Sequence, residues 1–358
     1  MRKRTRTGVL IVAVTVGCAV LGGCHADEND PKGLAEELAD PVRREWAIGH
    51  LQRIFGQRLG EAKGNREAAP IVEFNEVTHQ HLTKVYIEHP EDSSNGYRIV
   101  QLMSEMRDPR TLPALLEALK WRTEVSENHA IAAAKTLRQI EIPDEKRAAV
   151  VEAVAGSLSR VDGKRGADNR MRKAFIEALG DLGDQRATKV LIEVATRQDE
   201  AQNFLFNLLA ARQLARLRDP AAIEPMIRAL YLFAPNNPAM RMNDAASSVL
   251  VAIGRPALAP LLELLKGNNK AANKIAAQYI AAIRERDPNA AATMDAGAIV
   301  GYEATFTLGK LGYREAMDAL LAETKVKHEG RRNAAAIALV SLNRSDADTA
   351  KVVGAIKR

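Results

Sequence analysis

Aromatic residues supply only 4% of this 358-residue chain, cysteine occurs twice, and no glycine-rich phosphate loop, Gly-x-Ser-x-Gly elbow or paired metal-ligand motif is present. Scarce aromatics weaken any case for ring-lined sugar recognition. The missing motifs remove the usual grounds for nucleotide, hydrolase or metalloenzyme chemistry, so no catalytic residue, cofactor, metal or small-molecule substrate is expected. Two cysteines, Cys18 and Cys24, cannot staple a small fold, and stability has to come from packing.

What the sequence has in quantity is alanine, leucine and one recurring phrase. A helix end, a Gly/Asp/Pro turn and a leucine-rich helix start come round repeatedly, most clearly in Ala178-Leu179-Gly180-Asp181-Leu182-Gly183-Asp184. Related copies fall at residues 103–112, 214–223, 250–258 and 308–316. Asp184 and Asp219 are 35 residues apart, and Pro220 and Pro256 are 36 apart. A repeat of this length is one helix pair that buries its apolar face only against its neighbours, which predicts an all-α superhelix of antiparallel helix pairs.

The spacing predicts helices over 34–39 and 42–55 around the turn Asp40-Pro41, and over 71–88. Pairs then follow as 111–121 with 129–140, 145–159 with 170–182, 187–196 with 201–217, 221–233 with 244–253, and 257–265 with 272–283. The next step, to Arg314, is longer, as if a unit's first helix had decayed into Asp287-Pro288-Asn289-Ala290-Ala291-Ala292. Helices over 315–323, 332–342 and 346–356 close the array. Residues 34–96 read as an N-terminal capping region and 97–358 as the regular solenoid.

The first 23 residues read as a targeting segment, with Arg2, Lys3, Arg4 and Arg6 ahead of an apolar stretch from Gly8 to Leu21. That stretch is shorter than the roughly 20 residues a spanning helix needs. It ends in Leu21-Gly22-Gly23-Cys24, which resembles the bacterial lipobox. The resemblance implies lipidation of Cys24, a palmitate-bearing anchor and a short tether over 24–33. Four of the 51 basic residues precede Cys24 and none of the 45 acidic ones does, so the processed chain carries 47 against 45, a net of +2. Nucleic acid is therefore not an expected partner.

The repeat units resemble HEAT repeats, particularly the short bacterial, phycobilin-lyase-like kind. Ala178-Leu179-Gly180-Asp181-Leu182-Gly183-Asp184, the pairs Asp108-Pro109 and Asp219-Pro220, and Arg172-Lys173-Ala174-Phe175 and Arg332-Asn333-Ala334-Ala335 carry the likeness. It implies a protein-binding scaffold. Deoxyhypusine hydroxylases within the wider family hold iron with several His-Glu pairs, and this sequence has only His328-Glu329.

Aligning second helices on their closing leucines stacks Arg172, Asn207, Asn243, Asn273 and Arg332 as a ladder. These are the candidate partner-binding residues on a concave face, since amide and guanidinium groups can read a peptide backbone or acidic groups. The alternative is that each caps or braces its neighbour's turn. Basic residues gather nearby at Lys164, Arg165, Arg170 and Lys173, at Arg241, and at Lys325, Lys327 and Arg331. His79, His81 and His89 do not suggest a zinc site, because side chains two apart on a helix point apart. Met240 and Met242 beside Pro235 and Pro238 suggest an adaptable apolar loop.

The expected molecule is a lipid-anchored scaffold that binds a protein partner in the bacterial cell envelope. His25 after the lipidated cysteine favours the periplasmic side of the outer membrane. A peptidoglycan-binding module, and a cytoplasmic regulatory HEAT protein with a misread start, are the alternatives.

Overall fold

A computed structural model of the chain describes residues 26–120, 126–161, 166–199, 203–267, 269–342, 350 and 353–354. The targeting segment with Cys24 and His25, the pair Lys164 and Arg165, and nearly all of the helix expected over 346–356 lie outside the described residues.

The recurring phrase is a turn with a defined conformation. A second helix ends on a residue in the left-handed region, filled by Arg107 (φ 55°), Gly183 (φ 67°), Arg218 (φ 53°) or Gly312 (φ 75°). After the first three an extended Asp follows, and its carboxylate accepts the backbone N–H two residues on: Asp108 from Arg110 at 2.9 Å, Asp184 from Arg186 at 2.8 Å and Asp219 from Ala221 at 2.9 Å; after Gly312 the place is taken by Tyr313. Proline after Asp108 and Asp219 supplies a first position that needs no donor. One tight helical turn then leads into the next first helix.

These turns join helix pairs. α1 (Pro31–Glu37) packs with α2 (Arg44–Glu61), α3 (Ala69–Glu88) with α4 (Ser93–Met106), and α5 (Leu112–Ala118) with α6 (Glu127–Leu137). α7 (Asp144–Ser159) packs with α8 (Gly166–Leu182), and α9 (Thr188–Thr196) with α10 (Leu205–Leu217). α11 (Ile223–Ala229) packs with α12 (Asn243–Ile253), an antiparallel hairpin of β1 (Phe233–Ala234) and β2 (Asn237–Arg241) lying between them. After α13 (Leu258–Leu265) come α14 (Lys270–Arg286), α15 (Pro288–Ala291) and α16 (Ala296–Leu311), and the last pair is α17 (Met317–Glu323) with α18 (Glu329–Leu342).

The second helices stack in the order α2, α4, α6, α8, α10, α12, α16, α18, and the first helices form the other layer. One continuous core of alanine, leucine and a few larger side chains such as Phe55, Phe175 and Tyr231 runs between the layers. The chain is thus an all-α superhelix, as its repeat predicts.

Three expectations need correction. The tether expected over 24–33 is helical from Pro31, because Asp30 accepts from Lys32 and Gly33 and Pro31 fills the first position. The boundary expected at 96/97 falls inside α4, since α2 and α4 already belong to the second-helix row. The helix over 272–283 is not the stacking partner of α13, whose second helix is α16; α14 and α15 are an insertion.

Composition explains the choice. α16 is buried around most of its circumference, with Val300, Ala304, Thr305, Thr307 and Leu308 covered and only the Tyr302, Phe306 and Lys310 side left open, so it needs neighbours on several sides. Glycine lets α18 come close: a Cβ on Gly309 would lie 2.6 Å from the Ala338 Cβ. α14 buries only Ala272, Ala276 and Ile280 and presents Lys270, Lys274 and Gln278 outward, which suits an outer layer.

The turn chemistry makes a direct prediction. Asp219→Ala removes the cap and lowers unfolding free energy by about 1 kcal/mol. Arg218→Gly relieves a left-handed arginine and leaves stability unchanged or raises it by under about 1 kcal/mol. Urea titration of both variants checks the pair, and a loss in Arg218→Gly equal to that in Asp219→Ala would contradict this account of the turn.

Candidate functional site

The ladder read from sequence faces inward. Four of its members, placed near the start of a helix that follows a first helix, bond carbonyls at or just past that first helix's end. The Arg172 guanidinium donates to Val161 O at 3.1 Å, and Asn207 Nδ2 to Ala195 O at 3.0 Å and Arg197 O at 2.7 Å. Asn273 Nδ2 donates to Gly267 O at 3.1 Å, and the Arg332 guanidinium to Val326 O at 3.1 Å and Lys327 O at 2.5 Å. Arg172 is 3% exposed and Asn207 1%, so these two sit in the junction between helices and not on an open groove. A helix end leaves carbonyls without intrahelical partners, and these side chains satisfy them. Arg44, missed in the sequence, does the same at the first pair, donating to Leu38 O at 2.8 Å. A polar residue six to twelve positions after a helix end is the signal that could have found it.

Asn243 is the exception, because the β hairpin replaces the short loop there. Its amide lies 3.4 Å from Glu303, a carboxylate 2% exposed on α16 that accepts from Arg241 at 2.7 Å. Burial pushes the Glu303 carboxyl up, against the pull of Arg241 and Asn243. The Arg241 guanidinium lies 4.8 Å over the Tyr279 ring of α14, and Phe233 of β1 packs on the same ring at 5.5 Å. Arg286 donates to Asn236 O at 2.7 Å. This cluster fastens the inserted helix to the hairpin and the stack. The methionines expected in an adaptable loop are drawn into it: Met242 is buried and Met240 half-buried against the core.

The outward face begins one residue later along each second helix. There a groove of about 600 Å³ crosses α4, α6 and α8, lined among others by Tyr97, Asn128, Lys135, Gln139, Arg170 and Lys173. Arg170 and Lys173 belong to the basic group seen in the sequence, while Lys135 was not singled out. Glu177, also in the wall, is bridged by Arg138 at 2.8 Å and lies 3.9 Å from Lys173. Asp181 accepts from both Arg138 of α6 and Arg216 of α10, tying three second helices together. Burial alone would raise the Asp181 carboxyl, but hydrogen bonds from Arg216 and Arg138 outweigh it and hold the group below the usual carboxylate range. Under the α4 end of the groove, His129 pairs through Nδ1 with Tyr86 Oη at 3.0 Å and through Nε2 with Ser93 Oγ at 3.3 Å. Burial pushes this imidazole below its usual range.

Farther along, the same face turns apolar. Leu205 of α10 is 55% exposed, and Tyr302 and Phe306 of α16 stack at 6.2 Å with Lys310 over the Phe306 ring. Elsewhere, Arg331 is held by Glu323 through two bonds of 2.8 and 2.7 Å. His79 Nδ1 lies 2.9 Å from Asn75 O and His89 faces Glu91 at 3.2 Å; among the described residues no three metal-ligating side chains converge.

A family model described as the PBS lyase HEAT-like repeat matches residues 209–231, which span the second half of α10, the Asp219-Pro220 turn and α11. Among solved structures, the crystal structure of an engineered protein is similar at 17% identity and a TM-score of 0.43, over 91% of this chain and 92% of that one. No curated protein matches the sequence.

Two outcomes follow from the junction and the ladder. Asn207→Ala strips two carbonyls of their donor and costs about 1–3 kcal/mol in urea unfolding, whereas Asn207→Asp retains shape but not donors and is no better. Full stability in Asn207→Ala would remove the capping role. For Asp181, the lowered native pKa means its contribution is complete above the unfolded value of about 4 and is lost as pH falls through the native one. Asp181→Asn is therefore less stable than the parent at pH 7, and the difference closes below pH ~4. A difference independent of pH would refute the ion-pair ladder.

Proposed function

We propose that this chain, which matches the PBS lyase HEAT-like repeat over residues 209–231, is a HEAT-repeat scaffold whose second-helix groove holds a protein partner close to a bacterial envelope membrane. The observation that carries this is the preformed, polar, donor-rich groove across α4, α6 and α8. It is cut into helices held in register by the Arg138, Asp181 and Arg216 ladder, so little ordering is left for binding. Many modest contacts across such a face add up without a deep pocket.

The anchor in this proposal is lipid on Cys24, supported by Leu21-Gly22-Gly23-Cys24 and the basic and apolar segment before it. His25 favours the outer membrane, periplasmic side. α1 starts at Pro31, and at ~3.5 Å per extended residue that places the first helix within about 25 Å of the lipid. Confinement near the bilayer raises the local concentration for a membrane-borne partner. Several acyl chains hold where one alone would be marginal.

Photocrosslinkers placed at Ala132 and Arg212 on the second-helix face should capture a protein in cells, and ones at Lys189 and Glu193 on α9 should not. Capture from α9 alone would defeat the groove assignment, and capture of peptidoglycan fragments would favour the glycan-binding alternative. Cys24→Ala should release the protein from membranes; retention through the apolar segment would rule out the lipid anchor.

A further inference from the structure

The groove carries a charge imbalance. Lys135 on α6 and Arg170 on α8 have no carboxylate within ion-pair distance among the described residues. Lys173 on α8 has only the 3.9 Å approach to Glu177, which Arg138 already bridges. Its next step along the same face, on α10, is apolar: Leu205 is 55% exposed and Leu209 half-buried. Cations on two neighbouring helices followed by leucines on a third form an ordered pattern, not a uniformly charged surface.

Geometry converts that order into a spacing. Packed helices lie about 8–10 Å apart, and a chain extended as a polyproline II helix advances about 3.1 Å per residue with about three residues per turn, so a segment crossing the second helices presents every third side chain, on one face, to a new helix. An extended segment also leaves its own N–H and C=O groups free, and Asn128 and Gln139 in the groove wall offer both donors and acceptors to them. A helical partner would have those groups already used.

Resting on the groove assignment above, we infer that the partner enters as an acidic segment extended in the polyproline II conformation, with two carboxylates about three residues apart and a bulky apolar side chain about three further on. The first carboxylate meets Lys135, the second Arg170 and Lys173, and the apolar side chain covers Leu205 and Leu209. The recognised chemistry is acidic-x-x-acidic-x-x-apolar, in a protein.

The test is fluorescence anisotropy of the purified full-length chain in detergent with fluorescein-labelled Gly-Glu-Ser-Ser-Glu-Ser-Ser-Leu-Gly. The double variant Lys135→Glu, Lys173→Glu should weaken binding roughly tenfold. Lys189→Glu, a charge reversal on α9, should change it less than about twofold. Replacing the peptide's Leu by Ser should cost roughly tenfold. Placing the two Glu side by side should weaken binding at least about threefold, since one of them then misses its helix. Absent binding, equal binding of a lysine-for-glutamate peptide, equal binding of both spacings, or an effect of Lys189→Glu as large as that of the double variant would each overturn the inference. Failure of the probe while Ala132 still captures a protein in cells leaves the groove assignment standing and removes only the acidic motif; failure of both removes the groove.

Discussion

The stack depends on how the ends of most of its first helices are closed. The last carbonyls of such a helix have no partner inside it, and leaving them bare next to the core would cost more than any single contact there returns. Arg44, Arg172, Asn207, Asn273 and Arg332 meet that need from the start of the following helix. Except at α13, where Asn273 reaches from the inserted α14, the donor is rooted in the second helix, so closing the carbonyls also fixes how that helix leaves the loop. The same bond therefore satisfies a helix end and sets the geometry of the pair, and repeated along the chain it sets the register of the second-helix row. The side chains that hold this register are turned away from solvent, which leaves the adjacent helical position to face outward.

That one-residue offset explains what could be read of the site from the sequence. Alignment on closing leucines groups Arg172, Asn207 and Arg332, which make the same kind of bond from three second helices, with Asn273, which makes it from the inserted α14. A step of one residue turns a helix by about 100°, so a ladder one position off lies on a different face. Nothing local to Arg172 or Asn207 says whether an amide or guanidinium seeks a partner protein or the chain's own carbonyls. The fold was far more legible, because Asp108, Asp184 and Asp219 each write the turn into three consecutive residues. Arg170 and Lys173 were noticed as a basic group, but that they share a groove with Lys135 depends on α6 and α8 lying side by side, a long-range fact.

The region after α13 shows where repeat logic stops. α14 has the sequence marks of a second helix, down to Asn273 closing the end of α13. It loses the stacking position to α16 because burial on several sides suits Val300, Ala304 and Leu308, and would not suit Lys270, Lys274 and Gln278. The displaced helix needs a new seat, and the hairpin between α11 and α12 provides it through Phe233 and Arg241 against Tyr279. Glu303 then lies beneath Arg241, a lone carboxylate in an apolar helix, buried and held by the one cation placed over it. In the sequence, the acid among Val300, Gly301, Ala304 and Thr305 was the available sign that a charged partner would be brought to it.

Charge along the second-helix face follows from the same division between internal work and exposure. Carboxylates at the helix ends are taken up: Asp181 by Arg138 and Arg216, Glu177 by Arg138. Those arginines are neutralised in holding the row together. Lys135, Arg170 and Lys173 have no such duty, and Arg170 and Lys173, three apart on α8, stand on one helical face where like charges disfavour each other by about 0.2–0.5 kcal/mol. With Lys135 across the gap on α6, the groove holds a small electrostatic strain that core packing carries and that an anion placed between the helices would relieve. A face built for stability alone would gain by replacing one of the three with an acid. Its positive character is the feature that the proposed acidic segment would answer.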